Sequence, residues 1–299
     1  MTGNNILSTT VVKPRDRRSK ARIEQLQAQI SRVLKQDHPQ SVRHVFYRMT
    51  DPTLPEPVEK SEQGYRQIQS QITKMRRAGL IPYDWITDAT RRGFHVNTYD
   101  DAEDFLRRVS GLYRSDLWQH ADHYVEVWTE SRSIAGVIEW DCEELAVSLY
   151  PAGGFSSITL AFQAAGQINR ATGYGSFPAE ILYIGDYDPA GVLIDQAVEK
   201  ELLRHLERGV ELNFHRIGIN LDQIEMYNLP AKPRKIGDKR AQHVTETVEA
   251  EAMPAHILRS LLRDNIERFL PTNALAVARV AEESERAHLR NLADIMGEQ

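Results

Sequence analysis

Apolar positions recur at helical spacing through the first third of the chain, then give way to short strand-like runs separated by helices. Ile23, Leu26, Ile30, Val33 and Leu34 predict one face of a helix over 20–36. His38-Pro39 breaks it, and QSVRHVFYRMT (40–50) predicts a second, short helix. The three prolines of DPTLPEPVEK (51–60) require a loop. Ser61 suits the N-cap of a third helix through Tyr65, Ile68, Ile72 and Met75, with Gly79 at C′. LIPYDWITDATRRGFHV (80–96) then predicts a β-wing, so 1–96 is expected to be a winged-helix domain. A connecting helix is expected over 98–121, burying Phe105, Leu106, Val109, Leu112, Leu117 and Trp118.

From 122 onward the pattern alternates. YVEVWT (124–129) is rich in β-branched and aromatic residues and predicts a strand, with a helix over 132–147 and a strand near 147–151. A helix to about 170, a strand over 179–185, a helix over 189–207 and a strand over 210–219 follow. The basic segment 227–240 is expected to be irregular, and helices at about 254–268 and 273–296 complete the chain. Alternating strands and helices imply a parallel, Rossmann-like sheet with right-handed crossovers over 122–299, joined to 1–96 by 97–121. The fold class is therefore α/β with an N-terminal winged-helix domain.

Acidic residues stand at two strand exits. Glu130 directly follows YVEVWT, and in ILYIGDYDPAG the residues Asp186 and Asp188 straddle Tyr187 just beyond a buried strand. Asp188 falls where an N-cap would lie, with Pro189 suited to the first helical position. Open α/β sheets bind ligands at strand carboxyl ends. If the two strands are neighbours, three carboxylates converge, and such a crowd needs a cation or a proton. A hard divalent ion that keeps its waters suits carboxylate oxygens and also meets phosphate. A helix cap and a solvated turn residue would account for the aspartates without any metal.

Composition narrows the classes. With 299 residues the chain is long enough for two cores, and 41% hydrophobic content is ordinary for a globular protein. No run approaches a membrane span, and MTGNNILSTTVVKPRDRRSK lacks the apolar core of a secretory signal. Cys142 is the single cysteine, which excludes an internal disulfide and points to a reducing cytoplasm. The histidines form no zinc-ligand spacing, and no Walker A sequence is present. The net charge of −5 hides an asymmetry: residues 1–95 carry 17 Lys and Arg against 9 Asp and Glu, and the rest carries 20 against 33. A basic front and an acidic back fit a nucleic-acid grip joined to a metal centre, or two domains that attract each other. Arg66, Lys74, Arg76 and Arg77 on the third helix and Arg91 and Arg92 on the wing are the candidate DNA contacts.

Tyr47 lies four residues after Arg43, so both occupy one helical face. With a pKa near 10, a tyrosine at pH 7 stands roughly 4 kcal/mol short of its phenolate. An adjacent guanidinium or metal would narrow that gap, and the phenolate could attack a phosphodiester to form a phosphotyrosine. A buried core aromatic is the plainer role.

RHVFY, Glu130 after a strand, and GDYDPAG together resemble the A subunit of topoisomerase VI and the related meiotic double-strand-break protein. KMRRAGLIPYDWITDATR and VEAEAMP are similar to stand-alone "mini-A" relatives found on mobile elements. The resemblance covers roughly residues 40–265. It implies a Toprim domain holding Mg²⁺ at Glu130, Asp186 and Asp188, with Tyr47 as the nucleophile on DNA and Arg43 beside it. It also implies a homodimer in which each tyrosine serves the partner's metal site, and a separate ATPase subunit for strand passage. One departure is visible: Ser131 stands where the family commonly has Lys, with Arg132 one step later as a shifted cation. The expectation is a Mg²⁺-dependent, topoisomerase-like DNA-cleaving transesterase acting on double-stranded DNA in the cytoplasm, at the nucleoid. A water-using Toprim nuclease and a non-catalytic winged-helix DNA-binding protein are the alternatives.

Overall fold

The structure, a computed structural model, describes residues 18–87, 96–153, 158–234 and 240–297. Three helices open the described chain: α1 (Lys20–Gln36), α2 (Val42–Met49) and α3 (Glu62–Arg77). Ser19, Ser41 and Ser61 each accept a backbone N–H of the first turn, so each helix starts at a serine. At the end of α3, Gly79 takes φ +68°, and the N–H groups of Gly79 and Leu80 reach the carbonyls of Arg76 and Met75. That is a Schellman closure, and only glycine adopts its left-handed step without strain.

The wing is not seen among the described residues. Residues 83–85 form a single 3₁₀ turn, and Gln40 and Ile86 make one parallel bridge. Residues 88–95, with Arg91 and Arg92, lie outside the described residues.

The connecting segment departs from expectation. Helix α4 (Ala102–Ser110) ends at Gly111, where the Leu112 N–H turns back to the Val109 carbonyl. Continuation to 121 fails, and Phe105 and Leu112 are exposed rather than buried. Leu117 alone of the expected apolar set is fully buried, while Trp118 leans on the core and donates its indole N–H to the Leu145 carbonyl.

Beyond it lies a four-stranded parallel sheet of β1 (Tyr124–Thr129), β2 (Ser148–Pro151), β3 (Ala179–Ile184) and β4 (Leu212–Gly218), in the order β2-β1-β3-β4. Helices α5 (Arg132–Glu144), α6 (Ile158–Ala171) and α7 (Gly191–Leu203) make the crossovers. Alternate residues of β3 feed different layers. Ile181 and Tyr183 pack with α6 and α7, and Leu182 and Ile184 pack on the opposite face. That second face joins α5 and α9 (Ala255–Glu267) to α1, α2 and α3 in one continuous core. The basic helices are thus fused to the sheet rather than tethered to it.

The sequence leaves unmarked a short helix, α8 (Leu221–Met226), and a two-stranded ribbon in which β5 (Lys232–Pro233), inside the segment expected to be irregular, pairs with β6 (Glu246–Thr247) beyond it. Helix α10 (Ala274–Gly297) packs on α4. Among the described residues no helix is long and apolar enough to cross a membrane.

Candidate functional site

Chain order reverses at β1 and β3: β2 lies on one side of β1, while β3 and β4 extend on the other. The crevice outside the carboxyl ends of such neighbours is the usual ligand position in an open α/β sheet. Thr129 and Ile184 are register partners, so Glu130 and Gly185 leave the sheet at one level. The Glu130 N–H closes the ladder onto the Ile184 carbonyl at 2.9 Å, and the Asp186 N–H donates to Glu130 Oε2 at 3.1 Å. The two strand exits that carry acids do meet.

Asp188 holds the turn after β3. Its Oδ1 accepts the N–H groups of Ala190 (2.8 Å) and Gly191 (2.6 Å). Helix α7 starts at Gly191 with Ala190 at its N-cap, so Pro189 and Asp188 both lie in the preceding turn instead of at the first helical and N-cap positions expected of them. Gly191 is required by close approach: a Cβ there would stand 2.1 Å from the Asp186 carbonyl oxygen. Gly191→Ala is therefore expected to displace the turn and cost about 1–3 kcal/mol, read as a lowered urea midpoint.

Two further acids join the cleft, and the sequence reading missed both. Tyr187 and Val248 exchange backbone hydrogen bonds at 2.9 and 2.8 Å in an isolated antiparallel bridge. The bridge lays Glu249 and Glu251 alongside Asp186 and Asp188. The Ala250 N–H donates to Asp186 Oδ1 at 2.8 Å, and Ser131 donates its hydroxyl to Glu251 Oε1 at 3.0 Å. The available signal was the alternation itself, since Glu-Ala-Glu in VEAEAMP has the spacing of Asp-Tyr-Asp.

Electrostatics register the crowding. Burial first, then the charges of Glu251 and Glu130, push the Asp186 carboxyl up to about 8. Burial, with Asp188 and Glu251 adding to it, also raises Glu130 above the ordinary carboxylate range. Arg216 braces the backbone here, donating to the carbonyls of Gly185 (3.1 Å) and Asp186 (2.5 Å) and pairing with Asp195 at 2.8 Å. It is a positioning residue with no motif in the sequence.

The opposite wall comes from α2. Arg43 pairs with Glu249 at 2.5 Å, and Lys232 reaches the other oxygen of Glu249 at 3.3 Å. Tyr47 is only 6% exposed and packs against Phe46, with Glu249 near enough for its charge to act on the phenol. Burial and the Glu249 charge raise its pKa, and Arg43 only partly offsets them. Tyr47 lies within the influence of Glu249 and Glu251 of its own chain and lines a neighbouring cavity with Arg48, Tyr227 and Pro230. Arg43, Ser131, Asp186, Asp188, Lys232, Glu249 and Glu251 line an open cavity of about 440 Å³.

The remaining candidates divide. Ser131 caps α5 and binds Glu251, and Arg132 lines a separate cavity beside α5, so it does not replace the expected lysine in the cleft. On α3, Arg66 pairs with Glu62 in the exposed (i, i+4) manner, while Lys74 and Arg77 are exposed. Arg76 is folded over the Tyr83 ring and bonds its carbonyl, so it is committed internally.

The donor set has the chemistry a hard divalent ion takes: carboxylate oxygens from two strand exits and a third segment, crowded enough to raise their proton affinity. As the side chains stand, among the described residues no three or more His, Cys, Asp or Glu form a group that could hold a metal ion. One oxygen each of Glu130, Asp186 and Asp188 is turned to a backbone N–H instead.

Fold and site define an α/β protein with an acidic cleft at its topological switch point and a tyrosine–arginine pair on the facing helix. No family model, curated protein or solved structure matches the chain.

Proposed function

We propose that this protein is a Mg²⁺-dependent DNA-cleaving transesterase of the topoisomerase VI A-subunit kind, with Tyr47 as nucleophile. The observation that carries the reading is the cavity shared by Asp186, Asp188, Glu249 and Arg43, with Glu130 bonded to the Asp186 backbone and Arg43 on the helix that carries Tyr47. Glu130, Asp186 and Asp188 would hold the ion, with Glu251 as a neighbour that adds charge. Bound there, Mg²⁺ would neutralise the phosphoryl oxygens and the departing oxygen.

The chain's own residues supply the rest. Arg43 binds a phosphoryl oxygen and orients the phosphodiester. The Tyr47 hydroxyl oxygen attacks phosphorus, the phosphorus–O3′ bond breaks, the phenol proton leaves to solvent, and the 3′ oxygen takes up a proton. One phosphodiester replaces another, so the bond energy is conserved for religation. The exposed Lys74, Arg77 and Arg66 of α3 would contact the duplex backbone, and Arg91 and Arg92 would add further contacts. A homodimer would cut both strands, and a separate ATPase subunit would drive strand passage.

A second reading has one observation in its favour. Tyr47 is buried and its phenol is held neutral, which suits a water nucleophile in the same acidic cleft.

Supercoiled plasmid incubated with the protein and Mg²⁺, then quenched with detergent, separates the readings. Linear or nicked DNA carrying protein on its 5′ ends is the expected product. Cleaved ends free of protein would establish the hydrolytic reading. Salt-dependent duplex binding without cleavage under any divalent ion would leave a DNA-binding protein only.

A further inference from the structure

We infer that Arg43 and Lys232 form a binding site for a phosphate group of the DNA backbone, on the helix that carries Tyr47, and that Glu249 occupies that site as an internal stand-in for the phosphate. Two cations from separate places converge on one carboxylate. Arg43 of α2 holds Oε2 at 2.5 Å and Lys232 of β5 holds Oε1 at 3.3 Å. A guanidinium and an ammonium on two oxygens of one anion are what a phosphodiester requires, and each would transfer to it without rearranging its own element.

The surroundings favour this over an ordinary ion pair. Lys60 stands 5.7 Å over the Tyr47 ring, so the phenol and Glu249 lie within a third positive field. Lys60 itself is spent on the carbonyls of Pro230 (2.6 Å) and Ala231 (3.1 Å), which fixes the approach to β5. Arg43, Lys232 and Glu249 line the same cavity as Asp186, Asp188 and Glu251. An anion entering it competes with Glu249 for Arg43 and Lys232. Glu249 lies in the short stretch between Val248, bridged to Tyr187, and the 3₁₀ turn Ala250–Ala252, so its side chain can swing while its backbone stays pinned. Until it does, the Arg43 guanidinium is neutralised by the carboxylate. The site is thereby latched until phosphate arrives.

The anion site stands on its own geometry, and only the identification of its ligand as DNA rests on the transesterase reading. The test is made on the full chain in EDTA, where cleavage plays no part. Thermal unfolding is followed with inorganic phosphate against chloride at matched ionic strength, for the parent, Glu249→Gln, Glu249→Ala and Glu249→Gln/Lys232→Met. Glu249→Gln is expected to bind phosphate at least about 10-fold more tightly than the parent, and the added Lys232→Met to remove that gain. A 20-base-pair duplex, followed by anisotropy across a salt series, is expected to bind Glu249→Gln more tightly, with a log K–log salt slope steeper by about one. Phosphate gain without duplex gain would keep the anion site but assign it a small phosphorylated ligand, and the transesterase reading would fall separately. Equal phosphate affinity in parent and both Glu249 variants would overturn the proposal. So would failure of both variants to fold, since Glu249 would then be a structural clamp.

Discussion

Asp186→Asn is expected to stabilise the metal-free protein at pH 8 while removing its response to Mg²⁺. The sign follows from the direction of the shift. Asp186 has its carboxyl pushed up to about 8 in the folded chain, against an ordinary value of 3.8. The folded state therefore binds more protons than the unfolded state between those values, so its stability falls as pH rises from about 4 to about 8. Below pH 4 parent and variant should unfold alike. Toward pH 8 the variant should gain on the order of 2 kcal/mol, discounted from the full shift because the cleft opens to water. Saturating Mg²⁺ should reverse the order: at one hundred times its dissociation constant it stabilises the parent by about 2.7 kcal/mol and the variant hardly at all. The parent's gain should grow from pH 6 to 8 as the carboxylate loses its proton. Melting curves with EDTA and with Mg²⁺ at pH 4, 6 and 8 check all of this, and a variant that still responds to Mg²⁺ would remove Asp186 from the metal set.

Tyr47→Phe carries the second large effect. The ring packs against Phe46 in the core shared by α2 and the sheet, and phenylalanine keeps that packing. Only the hydroxyl is lost, so stability should change by about 1 kcal/mol or less. Covalent cleavage, in contrast, should fall by at least about 10³-fold, the scale seen when a nucleophile is removed from an assembled site. Detergent-trapped complex on end-labelled duplex is the readout. Arg43→Lys should retain charge but lose the planar fork, and should fall between parent and Tyr47→Phe.

How far the sequence reaches into the site is decided by the range of the interactions. Glu130, Asp186 and Asp188 are legible because each follows a strand whose own residues announce it, and parallel topology then joins the exits. Arg43 and Tyr47 are legible as a pair because helical spacing places them on one face. Glu249 and Glu251 are placed by a backbone bridge between Tyr187 and Val248, about 60 residues apart, and no local pattern encodes that pairing. Arg216 escapes for the same reason: it sits in β4 and turns its guanidinium back across the sheet end. Its role is set by β4 being the neighbour of β3.

The helical third shows the same limit from the other side. The period of α1 and the serine caps are local, and the helices begin and end where those signals fall. The expected helix over 98–121 carries enough apolar residues for one long element, yet Gly111 ends it and α10 packs on what remains. Apolar spacing gives no warning of a break whose cause is a turn closing on Val109. Arg132 was expected to stand in for a missing lysine. The start of α5 at Ser131 sends its side chain to another cavity, and the cations of the cleft come from α2 and β5 instead.

The central claim is that the Tyr47 oxygen becomes bonded to DNA beside the carboxylate cluster. Its most direct test is mass spectrometry of the parent chain after incubation with duplex and Mg²⁺, detergent quenching, nuclease trimming and proteolysis. A nucleotide attached through phosphate to the Tyr47-containing peptide, absent when EDTA replaces Mg²⁺, is the result the account predicts. Cleaved duplex with an unmodified Tyr47 peptide, or with the adduct on another residue, would contradict it.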